Sequence, residues 1–162
     1  MARKILLDQL TGQARSRAEL ATKLARKNVP DHIAEALLAR FEEVGLVDDE
    51  AFARAWVQSR QTGKGLAPRA LAQELRRKGV ADETARAALD EVSPEDQEQA
   101  ARALVRKRLR TAAKLDRATA MRRLTGMLAR KGYSSGLAWR VVRDELEATS
   151  EEDTIDRFSG GT

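Results

Sequence analysis

A pattern of ten residues recurs three times along this chain and fixes most of what it can fold into. Leu20-Ala-Thr-Lys-Leu24-Ala-Arg26-Lys27-Asn28-Val29 aligns with Leu71-Ala-Gln-Glu-Leu75-Arg-Arg77-Lys78-Gly79-Val80. Both align with Leu124-Thr-Gly-Met-Leu128-Ala-Arg130-Lys131-Gly132-Tyr133. The shared template is Leu-x3-Leu-x-Arg-Lys-Gly/Asn-apolar, at offsets of 51 and 53 residues. Two leucines four apart lie on one helix face and bury together. Arg-Lys in the last turn suits the negative end of the helix dipole. Asn28, Gly79 and Gly132 stand where the chain leaves the helix in a left-handed conformation, which those residue types tolerate best. Each copy is therefore a helix that stops sharply and hands over to another.

The register continues past each turn. Ile33, Thr84 and Leu137, followed by Leu37-Leu38, Ala88-Leu89 and Val141-Val142, mark a second amphipathic helix in every copy. The first two copies share a third, since Ala53-Arg54-Ala55-Trp56-Val57-Gln58-Ser59-Arg60 parallels Ala101-Arg102-Ala103-Leu104-Val105-Arg106-Lys107-Arg108. Start signals agree: Ser16 to Glu19 reads as a capping box, Ser93-Pro94 as an N-cap with proline at the first helical position, and Asp48-Asp49-Glu50 as an acidic helix start. The breaker run Gly63-Lys64-Gly65 before Pro68 separates two helices.

The reading is all-α, with tandem three-helix repeats in an elongated array. It comprises a leading helix in 1–15, modules at 16–65, 66–115 and 116–147, and an acidic tail at 148–162 expected to fray, with a short helix near 154–158. Composition fits: hydrophobic residues make up 42% but aromatics only 4%, so the cores are thin and lined by Ala, Leu and Val. The chain has no cysteine, and its first apolar stretch, Ile5-Leu6-Leu7, is too short for a signal peptide. No run approaches the length of a membrane span, and a reducing, cytoplasmic setting is expected.

Charge is distributed unevenly. Residues 1–98 carry a net −1, residues 99–143 a net +12 with Asp116 as the one acid, and residues 144–162 a net −6. A helical stretch so basic repels itself and suits a polyanion or the acidic face of a protein. The candidate binding residues are Arg102, Arg106, Lys107, Arg108, Arg110, Lys114, Arg122, Arg123, Arg130, Lys131, Arg140 and Arg143. They can track phosphates with steep salt dependence, or oppose an acidic protein surface.

The stretch from Gly45-Leu46-Val47-Asp48-Asp49-Glu50-Ala51-Phe52 through Trp56 and Arg60, continuing over Gly63-Lys64-Gly65, Pro68, Leu71, Glu74-Leu75 and Lys78-Gly79-Val80, resembles the RecX family of regulatory proteins. With the repeats, the resemblance covers about residues 5–147. It implies a curved row of three-helix repeats and binding to the RecA recombinase and its filament on DNA. It further implies inhibition of RecA's ATPase, strand-exchange and coprotease activities, with no cofactor and a cytoplasmic location.

Catalytic and metal readings find no foothold in the residues. Asp48-Asp49-Glu50 is accounted for by capping, and His32, the single histidine, has no partner for a triad or a zinc site. Gly63-Lys64-Gly65 lacks the frame of a phosphate loop. No catalytic residue, small-molecule substrate, cofactor or metal is therefore expected. Trp56 and Trp139 share faces with apolar residues and are expected in the core. The alternative function is a stand-alone helical DNA-binding protein. The second helices at 30–43 and 81–91 are acidic or mixed, however, and only 135–143 is basic enough for a recognition helix.

Overall fold

The computed structural model of the chain describes residues 1–160. Among these there are nine helices and no strand: α1 (Ala2–Gly12), α2 (Arg17–Arg26), α3 (Asp31–Glu43), α4 (Asp49–Lys64), α5 (Pro68–Arg77), α6 (Asp82–Asp90), α7 (Pro94–Ala112), α8 (Arg117–Arg130) and α9 (Ser135–Ser159). None is long and apolar enough to cross a membrane.

The three template copies are the C-terminal parts of α2, α5 and α8, and they share one geometry. All six template leucines, Leu20, Leu24, Leu71, Leu75, Leu124 and Leu128, are at most 3% exposed. After each helix the chain turns through a residue of positive φ, at Asn28 (59°), Gly79 (77°) and Gly132 (95°). The amides of Val29, Val80 and Tyr133 then donate back to the carbonyls of Leu24, Leu75 and Leu128 at 3.0, 3.0 and 3.1 Å. Those bonds satisfy carbonyls that the helix ends would otherwise leave open. The start signals hold as well. The Ser16 hydroxyl accepts from the amide of Glu19 while the Glu19 carboxylate accepts from that of Ser16, and Asp48 accepts from Ala51.

The chain divides into two compact units, Met1–Ser59 with Leu71–Glu91, and Arg60–Ala70 with Val92–Thr162. In the first, α1 packs on α2 and α3 around Leu6, Leu20, Leu24, Leu38, Phe41 and Val47. In the second, α9 packs on both α7 and α8 around Val105, Leu124, Met127, Leu128, Tyr133, Val141 and Val142.

Each unit also contains a junction in which the start of one copy meets the turn of the next. In the first, the Ser16 hydroxyl, fully buried, donates to the carbonyl of Lys78 at 2.6 Å, and the Lys78 ammonium reaches the Glu19 carboxylate at 3.2 Å. Ala18 lies so close to Gly79 that a Cβ there would come within 2.3 Å of its methyl group. In the second, the Ala67 amide donates to the Lys131 carbonyl at 3.0 Å, and a Cβ on Gly132 would lie 2.9 Å from both Cβ and N of Ala70. Tyr133 adds a bond from its hydroxyl to the Gly65 carbonyl at 2.7 Å.

Two expectations change. Over the stretch 148–162, expected as a frayed tail with a short helix near 154–158, α9 continues as one helix to Ser159, and residues 161 and 162 lie outside the described residues. The helix contains no Gly or Pro between Leu137 and Ser159, and the hydroxyls of Thr149, Ser150 and Thr154 bond carbonyls four residues back. Trp139 is not core but 52% exposed. The buried stripe of α9 is Ala138, Val141, Val142 and Glu145, and a residue next to Ala138 is turned about 100° from it around the helix.

Candidate functional site

The basic residues expected to bind a partner come from α7, α8 and α9 of the second unit, and the structure sorts them into two groups. Arg102, Arg106, Arg140 and Arg143 are engaged internally. Glu145, only 6% exposed, accepts from Arg102 at 3.3 Å and from Nε and Nη2 of Arg106 at 3.0 and 3.1 Å. Asp144 accepts from Arg102 at 3.1 Å and from Arg143 at 3.0 Å, while Glu98 accepts from Arg102 at 3.0 Å and from Arg140 at 3.3 Å. The hydrogen bonds and charge of Glu145 lift the Arg106 guanidinium above its ordinary pKa. Bonds from Arg102 and then Arg143 hold the Asp144 carboxyl below the usual range. Arg102, Arg106 and Arg140 thereby tie α7 to α9 while Arg143 bonds its neighbour Asp144 on α9, and a buried carboxylate stripped of such partners is costly.

The acids responsible lie just outside the basic stretch, at positions 98, 144 and 145. Sequence alone shows them flanking the +12 region but gives no sign that they fold onto it. Their effect is to withdraw four of the expected contacts from the pool of cations available to a partner.

The other group is Lys107, Arg108, Arg110, Lys114, Arg122, Arg123, Arg130 and Lys131. Among the described residues, none of them has a carboxylate within 4.0 Å. All but Lys131 are exposed. Arg108 and Arg123 stand over a groove of about 340 Å³ whose other walls are Thr111, Ala112, Leu115 and Leu124. Two helices thus present a strip of positive charge free of ion pairs, with Arg108 and Arg123 flanking an apolar seam and Asp116 acting on Arg122 through its charge alone. Such a strip can hold phosphates or the acidic, apolar-anchored face of a protein. The Trp139 indole also lies on this unit's surface, with the Arg143 guanidinium 4.9 Å from its ring centroid.

In the first unit the conspicuous polar cluster surrounds Arg17, which bonds both oxygens of Glu35 at 3.3 and 2.8 Å and pairs with Glu42. Asp49 accepts from the Arg17 amide at 2.8 Å. These groups are consumed in holding α2 to α3 and to the start of α4. His32 is exposed.

Comparison with known proteins matches the chain over most of its length. Residues 2–41, 48–89 and 95–142 match the first, second and third three-helix domains of RecX respectively. Each matching segment thus spans three consecutive helices. The regulatory protein RecX of Thermobifida fusca is 54% identical over 151 residues, covering 93% of this chain and 82% of the relative. That of Streptomyces coelicolor is 52% identical, covering 93% and 80%. Among solved structures, RecX from Lactobacillus salivarius superposes with a TM-score of 0.82 at 19% identity, covering 88% of this chain and 93% of that one. A second RecX crystal structure gives 0.78 at 26% identity, covering 88% and 70%.

Proposed function

The chain belongs to the RecX family, and from that premise we propose that it binds the RecA recombinase filament on DNA and restrains it. Restraint here means inhibition of RecA's ATP hydrolysis, strand exchange and coprotease activity, by a cytoplasmic protein with no catalytic step and no cofactor of its own. The observation that supports this reading beyond the family is the strip of cations on α7 and α8 that form no ion pair among the described residues. A nucleoprotein filament offers a long run of negative charge in phosphates and acidic side chains, and a charged strip speeds encounter with it. Contact with DNA is the secondary part of the interaction, weak and dependent on salt. No small molecule and no membrane is a partner in this reading.

The test is RecA's hydrolysis of ATP on single-stranded DNA, titrated with this protein below one per RecA monomer. Inhibition is expected well below stoichiometry. The reversal Lys107→Glu, Arg108→Glu, Arg122→Glu, Arg123→Glu should abolish it while leaving helicity unchanged. Arg106 is left out because reversing it would strip Glu145 of two bonds. Undiminished inhibition by the fourfold variant would overturn the role given to the strip. Hydrolysis that stays flat while the wild-type protein binds DNA in a salt-dependent way would favour a stand-alone DNA-binding protein.

A further inference from the structure

Trp139 is a large side chain on the surface of the second unit with no core to fill. The residue is 52% exposed, and the Arg143 guanidinium sits over its ring at 4.9 Å from the centroid. Asp144 fixes that guanidinium, accepting from Nε at 3.2 Å and Nη2 at 3.0 Å. One turn earlier on the helix, Gly136 carries no side chain, and a Cβ there would meet nothing within 4 Å. The indole is therefore backed by a clamped cation and has open space beside it.

Its surroundings narrow the kind of partner. Among the described residues of this unit, the other exposed large apolar side chains are Ile155 and Phe158, farther along α9 and so about 24 and 28 Å away at 1.5 Å per residue. Protein-binding tryptophans generally anchor the centre of a packed patch, ringed by contacts that exclude water. Here the ring stands alone under the Arg143 guanidinium, whose charge Asp144 already meets, in the unit that carries the chain's excess of positive charge. An isolated π face in a unit of net positive charge suits another flat π system attached to phosphate. A nucleobase stacks on indole regardless of its identity, and a guanidinium on the ring strengthens the arrangement. Bases in a duplex are already stacked on one another, so only an unpaired strand can present one face-on.

We propose that Trp139, backed by Arg143, is a stacking platform for an unpaired base of single-stranded nucleic acid. The proposal rests on the reading that this unit's surface meets a filament on DNA, and it specifies which form of the nucleic acid is touched.

The test labels the full-length protein with 5-fluorotryptophan, which gives one fluorine resonance each for Trp56 and Trp139, assigned with Trp139→Phe. A fifteen-nucleotide oligothymidylate should shift the Trp139 resonance. An abasic oligomer of equal length and charge, and a duplex of equal length, should leave it in place. Trp139→Ala should weaken binding of the oligothymidylate by about 5- to 100-fold and leave abasic binding unchanged, with Trp139→Phe retaining most of the affinity. A resonance that stays still in the presence of oligothymidylate, or equal weakening toward both oligomers by the alanine variant, would overturn the proposal. So would a shift produced by RecA protein alone. A shift with oligothymidylate upholds it even where RecA hydrolysis is unaffected, so the two readings fail separately.

Discussion

At the junction in the first unit a serine hydroxyl donates to the carbonyl of Lys78, whereas in the second unit a backbone amide, that of Ala67, donates to the carbonyl of Lys131. Ser16 and Ala67 stand at the same place in the repeat, 51 residues apart, and so do Lys78 and Lys131 at 53. Both junctions bring a helix start against a glycine turn that has no room for a Cβ. The first adds polar chemistry, a buried hydroxyl and the Glu19–Lys78 pair. The second replaces it with small apolar contacts and the phenol of Tyr133. What the repeat conserves within this one chain is a carbonyl needing a donor and a turn needing a bare Cα; how each need is met is free to differ.

The two glycines are where the junctions are most vulnerable. Gly79→Ala and Gly132→Ala each force an L side chain into positive φ and into a closed space, and each should cost about 2–5 kcal/mol in urea denaturation. The rescues should differ. At Gly79 the obstacle is the side chain of Ala18, so adding Ala18→Gly should recover about 1 kcal/mol or more after its own helix penalty. At Gly132 the obstacle includes the backbone nitrogen of Ala70, and Ala70→Gly should recover nothing. Equal recovery at both sites would mean that the junctions are not built differently.

Ser16→Ala comes next, at about 1–2 kcal/mol, because it removes a helix cap and leaves the Lys78 carbonyl without its donor. A loss below a few tenths of a kcal/mol would show that water or a shifted chain serves that carbonyl equally well.

The smallest effect is Tyr133→Phe, about 1 kcal/mol at neutral pH, but it carries a signature in alkali. Burial raises the phenol from an ordinary 10.0 to about 12. Below pH 10.0 the phenol is protonated in folded and unfolded chains alike, and its contribution is whole. As pH rises toward about 12 the unfolded chain ionises first, so stability falls through that window. The difference between wild type and Tyr133→Phe should shrink there, and a constant difference up to pH 12 would contradict the burial of the phenol.

The parts of this structure visible in the sequence are the local ones. The six leucines, the turns at Asn28, Gly79 and Gly132, and the caps at Ser16, Asp48 and Ser93 depend on residues within a few positions of each other, and periodicity reports them. Trp139 escaped because Leu137, Ala138, Trp139, Val141 and Val142 cover more of the helix circumference than one buried stripe can hold. Which of them turns outward is decided by what packs alongside. The cation strip was half visible. Its net charge is a property of composition, but the choice of arginines sealed by Glu98, Asp144 and Glu145 is made by how α7 lies against α9. The junctions left no local trace, since nothing near Ser16 marks it as the partner of Lys78.

That last bond also sets a clock. Ser16 and Lys78 are 62 residues apart, and a ribosome adds roughly 5–20 residues per second, so the hydroxyl of a nascent chain waits about 3–12 s for its acceptor to be synthesised. Through that interval the methyl of Ala18 has no Gly79 to meet and the Ser16 hydroxyl no Lys78 carbonyl to bond. The amino-terminal helices thus emerge before the surface that closes over them. A polypeptide halted before Lys78 would expose that seam permanently to chaperones and proteases.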